Sequence, residues 1–577
     1  MNDNSRTVPE IPGKDRPIAG SPPAMQWGSD AIAQLLRDLG CEYIALNPGA
    51  SYRGLHDSLV NYLGNERPQM LTCLHEEHAV ALAHGYAKVT GRPMAAAVHS
   101  NVGLMHATMA IYNAWCDRVP VIVIGATGPV DATRRRPWID WIHTSRDQGA
   151  LVRNYVKWDD QPASVGAALE SLVRASNLAR TAPCGPVYVC LDVSLQEDRL
   201  TRVPAMPELA RYALPSAPAP LAQDIEQAAR LLAAAKNPVI LAGRVSRDAR
   251  GWEDRIRLAE RLNARVITDL KTAASFPTRH PLHGGAPGTR LSAEDKALLK
   301  NADAILSLDW IDLAGALRQG YRTNGWSMDH QQLPLSDLSI ASTPEQTVAH
   351  LLDRLGEGSG AVRFETKPAS SPEIPASGAV DLTSLGACLN RAIRGRNVSI
   401  LRLPLGWPGA LCEFAQPLDY IGNDGGAGIG SGPGMVVGAA LALRGTGRIP
   451  VAVLGDGDLL MGAMALWTAT RHRIPLLVVV ANNRSYHNDV AHQEAVARTR
   501  ERPPENKWIG QRLDDPSVDI PGLARSQGWD AVQTVADVAD LPAALAKGLE
   551  AVKAGACFMV DVRTEPGNVS KTGSDEY

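Results

Sequence analysis

LGDGDLLMGAMALWTATRHRIPLLVVVANN, residues Leu454 to Asn483, reads as one strand, turn, helix and strand with its polar groups gathered at the ends. An apolar run from Val451 to Leu454 enters the tight Gly455-Asp456-Gly457 turn, and a second, Leu476 to Val480, leads into Asn482 and Asn483. Between them Leu460, Met464 and Trp467 recur at helical spacing and predict an amphipathic helix with those residues on its apolar face. A crossover of this kind makes the two strands parallel, so their carboxyl ends meet at one edge of a sheet. Asp456 and Asn483, 27 residues apart, thereby arrive side by side next to a helix N-terminus that favours anions. A carboxylate and an amide are hard oxygen ligands, suited to Mg2+ or Ca2+ held together with a diphosphate.

Working outward, the 577-residue chain is too long for a single core and implies about three domains. Pro/Ala/Ser-rich linkers at 201–222 and 366–379 separate blocks at 25–200, 223–365 and 380–563. A flexible start (1–24) and a tail or lid (564–577) flank them. Each block alternates strand-like runs with helical patterns: VPVIVIGA and GPVYVCLDV, then NPVILAG and ADAILSLDW, then IPVAVLGDG and PLLVVVANN. The expected fold is α/β, three consecutive domains with parallel sheets flanked by helices.

Composition excludes several classes. With 58 basic against 61 acidic residues the net charge is −3, so there is no electrostatic footprint for nucleic acid or an anionic membrane. The eight cysteines contain no C-x-x-C pair, which reads as buried thiols in a reducing compartment. No apolar stretch is long enough to span a bilayer and the first 24 residues lack a signal-peptide core, so a cytoplasmic protein is expected.

Gly-Asp-Gly followed at this distance by Asn-Asn resembles the diphosphate-anchoring motif of thiamine diphosphate enzymes. The likeness implies pyrimidine-binding, middle and diphosphate-binding domains in that order, with thiamine diphosphate and Mg2+ as cofactors. Gly455, Asp456, Gly457, Asp458 and Asn483 would bind the cofactor, and the metal would take the side chains of Asp456 and Asn483 and the carbonyl of Ser485. Asp458 departs from the pattern, where Ser is frequent; a carboxylate there hydrogen-bonds phosphate-bound water or repels the diphosphate. The family's catalytic Glu precedes a Gly-Tyr-Ala by nine residues, and Glu76 does so in LHEEHAVALAHGYAKVTGRP. Helical spacing of Ala79, Ala83 and Tyr86 puts Glu76 at a helix start, facing out of a packed surface, where a dipole-complementing Glu is the plainer alternative. Glu77 is then a solvated or capping neighbour. A zinc HExxH motif is excluded because Ala79 stands where the second His is required.

VHSNVGLMHATMAIYNAW, FPTRHPLHG and the ALWTA at Ala465 to Ala469 resemble the benzoylformate decarboxylase branch, within a group that also holds acetolactate synthases and 2-hydroxyacyl-CoA lyases. That likeness implies two histidines facing the reacting carbon, His99 and His280. It also implies Ile429 as the apolar support under the thiazolium. In Asn47-Pro48-Gly49-Ala50 the decarboxylases carry Ser where this chain has Ala50; the missing donor to a substrate carboxylate costs about 1.5–3 kcal/mol of recognition. Relatives that cleave or join acyloins or act on thioesters have no carboxylate to hold there, while Ser51 supplies a hydroxyl by a register shift. Arg134, Arg135 and Arg136 are either a solvated loop or a contact for coenzyme A phosphates. Beyond Asn483, His492 and Glu494 lie on a segment expected to return over the site, with Glu494 a candidate acid–base group. One glycine in LAGRVSRD falls short of a phosphate cradle, so no flavin is expected.

The sequence therefore predicts a carbon–carbon lyase or carboligase acting beside a carbonyl on a small molecule. A 2-oxo acid decarboxylase, an acetolactate synthase-like enzyme and a non-catalytic thiamine diphosphate-binding protein are the alternatives. The family likeness implies a homodimer or homotetramer with sites at the subunit interface.

Overall fold

The computed structural model of the chain describes residues 13–18, 23–320, 336–356, 365–369, 372–529 and 531–566. Most of the N-terminal segment 1–24 and of the tail 564–577 lies outside them. The first sheet has six strands, β1 Tyr43–Leu46, β2 Gln69–Thr72, β3 Met94–Ala97, β4 Val121–Thr127, β5 Asp159–Asp160 and β6 Val187–Asp192, in the order β2-β1-β3-β4-β6-β5. β7 Pro238–Ala242, β8 Arg265–Ile267 and β9 Ala304–Leu308 form the second, in the order β8-β7-β9. The third has five strands, β10 Val398–Arg402, β11 Ile449–Gly455, β12 Leu476–Asn482, β13 Ala531–Val535 and β14 Cys557–Arg563, in the order β10-β11-β12-β14-β13. The pairings within all three sheets are parallel, as the alternating strand and helix pattern requires. The register pairs Val451 with Leu477 and Gly455 with Ala481, which brings the two ends of the opening segment together.

The helix between those strands differs from expectation. It is two short helices, Asp456–Gly462 and Ala465–Arg471, broken at Ala463-Met464. Leu459, Leu466 and Ala469 are buried, whereas Met464 and Met461 are exposed, so the face inferred from Leu460, Met464 and Trp467 is not the buried one. The cause is local: a Cβ on Gly462 would lie 2.1 Å from the Gly430 carbonyl oxygen, so the chain is pressed onto a neighbouring loop where a straight helix would not keep its phase.

Helices α1 Glu76–Thr90 and α2 Ser100–Cys116 flank the first sheet, and α3 Gly432–Ala442 belongs to the third domain. α1 and α3 cross with their backbones in contact. A Cβ on Gly85 would lie 1.9 Å from the Met435 carbonyl oxygen, and one on Gly438 1.9 Å from that of Leu82. Only hydrogen side chains permit this approach. The first and third domains are further joined by the Thr72 amide, which donates to Nε2 of buried His472 at 2.9 Å. The LAGRVSRD turn links the middle domain to both: Arg244 pairs with Asp309 and donates to the Cys116 carbonyl, and Arg247 donates to the carbonyls of Lys88 and, at 3.5 Å, of Ile421.

Two outcomes follow from this packing. Gly438→Ala should destabilise the chain by about 1–3 kcal/mol through overpacking. Gly166→Ala, on a helix with open space around that position, should be neutral or slightly stabilising, and urea denaturation compares the two. Burial lowers the His472 pKa from 6.5 to about 4. The unfolded chain therefore binds the extra proton first, so this contribution is complete above pH 6.5 and is lost as pH falls toward 4. His472→Gln should flatten the slope of stability against pH by one proton in that window, about 3 kcal/mol in total.

Candidate active site

Asp456 begins the short helix after β11, and the Asn483–Ser485 turn follows β12. The Asp456 carboxylate accepts hydrogen bonds from the amides of Gly457 at 2.9 Å and Arg484 at 2.5 Å, which locks the turn onto it. Arg484 adopts a positive φ of 59° to reach this position. Asn483 Oδ1 accepts from the Ser485 amide and hydroxyl at 2.9 and 3.0 Å. Asn482 turns the other way, donating to buried Asp561 at 2.8 Å, so the two asparagines divide between structure and site. Burial pushes the Asp456 carboxyl up to about 6, and no ion pair reaches it among the described residues. A buried carboxylate held only by N–H groups, beside an amide oxygen, is a fitting donor set for a hard divalent cation.

Asp458 is explained by a residue the sequence reading missed. Arg402, the last residue of β10, lies buried with its Nε 2.8 Å from Asp458 and its Nη1 2.9 Å from Asp424. Burial opposes the charge on Arg402, and Asp424 and Asp458 more than offset it. Burial raises the Asp458 pKa while Arg402 lowers it. Asp458 Oδ1 accepts from the Gly430 amide at 2.7 Å. The carboxylate is thus engaged from within the protein, by Arg402 and by the loop that carries Ile429. Ile429 is half-buried, next to Gly430 with its φ of 106°. The same loop is tied to α2 by the Gly426 amide, which donates to Asn113 at 3.1 Å.

At the other end, Glu76 is the first residue of α1 and only 6% exposed, not outward-facing as expected. Its Oε2 lies 3.0 Å from His106 Nδ1 on α2, and Gly103 leaves room for it: a Cβ there would sit 2.9 Å from Oε1. His75 stacks on His106 at 4.7 Å, and the ligating atoms of His75, Glu76 and His106 lie within 4.8 Å of one another. Glu77 is half-buried, and its side chain accepts from the Ser431 hydroxyl at 2.5 Å, across the α1–α3 crossing, rather than capping its own helix. Adjacent glutamates therefore serve different domains.

His99 caps α2, with Nδ1 2.9 Å from the buried Ser51 hydroxyl, which also accepts from the Ser100 amide at 3.1 Å. Burial, then His143, lowers the His99 pKa. Gly49 makes the arrangement possible, because a Cβ there would lie 2.4 Å from the His99 ring. Ala50 is exposed beside them, so the hydroxyl at this end comes from Ser51 and is bonded to His99.

Other expected residues do not join this group. His280 stays in the middle domain, Nε2 3.2 Å from Glu260 and Nδ1 accepting from Leu282. Glu494 lies on the helix His487–Thr499, bonded to Lys507 and, at 2.6 Å, to Arg498. These partners hold its carboxyl below the usual range, the wrong direction for a proton donor. The arginine run lies on an exposed irregular segment, as the solvated-loop reading expects, with Arg134 paired to Asp198, Arg136 to Asp140, and Arg135 donating to the Pro129 carbonyl.

Comparison with known proteins matches three models of one family: the thiamine pyrophosphate enzyme N-terminal TPP binding domain at residues 26–151, the central domain at 225–310 and the C-terminal TPP binding domain at 405–562. A benzoylformate decarboxylase of Pseudomonas aeruginosa is 24% identical over 493 residues, 80% of this chain and 85% of that protein. An acetolactate synthase large subunit of Corynebacterium glutamicum is 28% identical over 291 residues, which is 50% of this chain and 44% of its own length. The crystal structure of benzoylformate decarboxylase from Polynucleobacter necessarius superposes with a TM-score of 0.78 at 19% identity, covering 94% of this chain and 99% of that one.

The buried ion cluster yields a sharp expectation. Arg402→Met leaves two carboxylates buried without a cation and should cost about 3–5 kcal/mol in urea denaturation. Asp458→Ser leaves Arg402 paired with Asp424 and should cost clearly less; equal losses in the two variants would contradict the assignment.

Proposed function

The chain belongs to the thiamine pyrophosphate enzymes, and on that footing we propose that it is a Mg2+-dependent lyase or carboligase that breaks or makes a carbon–carbon bond beside a carbonyl. The single observation that carries this reading is the buried Asp456 carboxylate, free of any ion pair among the described residues and facing the Asn483 turn. Thiamine diphosphate, when bound, supplies the nucleophilic carbon and holds the electron pair released when the substrate bond breaks.

In this reading Asp456, Asn483 and the Ser485 carbonyl hold Mg2+, the Gly455-Asp456-Gly457 turn receives the diphosphate, and Ile429 supports the thiazolium. Glu76 meets the aminopyrimidine and carries its proton, in a site whose burial keeps water from competing. His99, its ring fixed by Ser51, hydrogen-bonds the substrate oxygen on the reacting carbon and passes a proton to or from it. Membership of the family, whose pyrimidine and diphosphate ends lie in different domains, supports a site completed by a second copy: a homodimer as the minimal unit, or a homotetramer of two such pairs.

Ala50 supports an acyloin or 2-hydroxy ketone over a 2-oxo acid, because no donor at that position receives a carboxylate. With the Arg134–Arg136 run engaged by Asp198, Asp140 and main-chain carbonyls, the feature that pointed to a coenzyme A ester is otherwise employed. A 2-oxo acid decarboxylase is the second reading, favoured by the Ser51 hydroxyl beside His99 and by the benzoylformate decarboxylase relative that aligns over most of both chains.

Incubation with thiamine diphosphate and Mg2+ and, in parallel, benzoylformate, pyruvate, an acyloin and a 2-hydroxyacyl-CoA tests the choice. Aldehyde from the acyloin without CO2 from the 2-oxo acids is the expected result, and CO2 alone would give the decarboxylase reading. Glu76→Gln should lose on the order of 10²- to 10⁴-fold in turnover with whichever substrate reacts. Near-wild-type turnover would remove Glu76 from the mechanism.

A further inference from the structure

His99 does not stand alone. The ring of His143 meets it edge to face, with centroids 4.7 Å apart and planes at 87°. His143 follows the short helix Ile139–Ile142, on the irregular segment that leaves β4. Its main chain is fastened to the start of α2: the Ser100 hydroxyl donates to the His143 carbonyl, and the Asn101 side chain donates to that of Ile142 at 3.2 Å. Ser100 is fully buried and held at a φ of 52°, a region that side chains other than those of glycine and asparagine seldom occupy. In that conformation its amide reaches Ser51 while its hydroxyl reaches His143. One strained residue thus sets the relative placement of Ser51, His99 and His143, and strain of this kind persists where the surrounding structure over-determines it.

His143 itself is half-exposed, unlike the buried His78, His84, His283 and His472, so its ring is open to a ligand. His280, the histidine expected to partner His99, is bonded to Glu260 and meets Phe276 edge to face with ring centroids 5.1 Å apart, within its own domain.

We propose that His143, in place of His280, is the second histidine at the substrate, contacting the oxygen on the reacting carbon together with His99. This rests on the function proposed above and narrows it: two imidazoles around one oxygen suit a substrate that passes between carbonyl and hydroxyl. The proton leaves the hydroxyl for one imidazole nitrogen on cleavage and returns to the oxygen on synthesis, with no other reactant consumed. Trp138 and Trp141 on the same segment are both largely exposed.

The test compares His143→Gln, His143→Ala and His280→Gln in the full-length protein. With the substrate identified by parallel incubation, both His143 variants should lose on the order of 10²-fold in kcat/KM. The thermal midpoint should be unchanged, thiamine diphosphate affinity by calorimetry should stay within about twofold of wild type, and His280→Gln should keep its activity within about threefold. Full activity in His143→Ala, or an equal loss in His280→Gln, would overturn the proposal. A readout that needs no turnover separates this failure from failure of the function itself. In protein labelled with 15N-histidine, the His99 imidazole should titrate at higher pH in His143→Gln and be unmoved in His280→Gln. Glu76 and Arg136, the other charged groups acting on His99, remain in both variants. An unmoved His99 in His143→Gln would show that the two rings are not coupled.

Discussion

The contact on which the rest of the molecule depends is the crossing of Glu76–Thr90 over Gly432–Ala442, where Gly85 and Gly438 each set a helix backbone against a carbonyl oxygen of the other. Main-chain contact leaves no slack for side chains to take up. It fixes the N-terminal ends of both helices relative to each other, and these ends carry Glu76 and Glu77 on one and the Ile429–Ser431 loop on the other. The Glu77 to Ser431 hydrogen bond fastens the same point from the side. Further along, Lys88 donates to the Asn423 carbonyl and pairs with Asp117 at 2.6 Å, so the loop before the second helix is held at its other end too. A domain boundary in the sequence is thereby a rigid joint in the fold.

Electrostatics divides the carboxylates of the Gly-Asp-Gly-Asp turn by what faces them. Asp456 has only amide donors, and burial raises its pKa. Asp458, two residues on, has a guanidinium at 2.8 Å and an amide at 2.7 Å. The first is the group a divalent cation would stabilise most; the second is already satisfied within the protein. Two residues apart on a helix, the side chains lie about 200° apart around its axis and so meet different neighbours.

What was legible in the sequence is what backbone geometry dictates. Two apolar runs joined by a crossover had to be parallel neighbours, and the Gly455 to Ala481 register then leaves Asp456 and the Asn483 turn little choice but to meet. The three parallel sheets followed from the same logic. Side-chain periodicity misled in Leu460, Met464 and Trp467, because Gly462 passes against the Gly430 carbonyl and breaks the helix where an isolated amphipathic pattern would continue. Contacts between irregular segments were not legible at all. His99 and His143 are 44 residues apart with no shared periodicity, and Arg402 ends a strand 56 residues before Asp458. Each was findable only once the sheet order placed those chain ends at one edge. Ser51 was visible as a candidate, but its role depended on knowing that the Gly49 position leaves room for the His99 ring.

The cluster of Arg402, Asp424 and Asp458 also constrains the mutational paths open to this chain. With serine at position 458 the guanidinium and Asp424 would form a neutral pair, and with aspartate a second acid shares the same cation. Once aspartate is there, the arginine can no longer be replaced without stranding two acids in the interior. The tolerance of position 402 therefore depends on the residue at position 458, two sites far apart in the chain that share one charge balance.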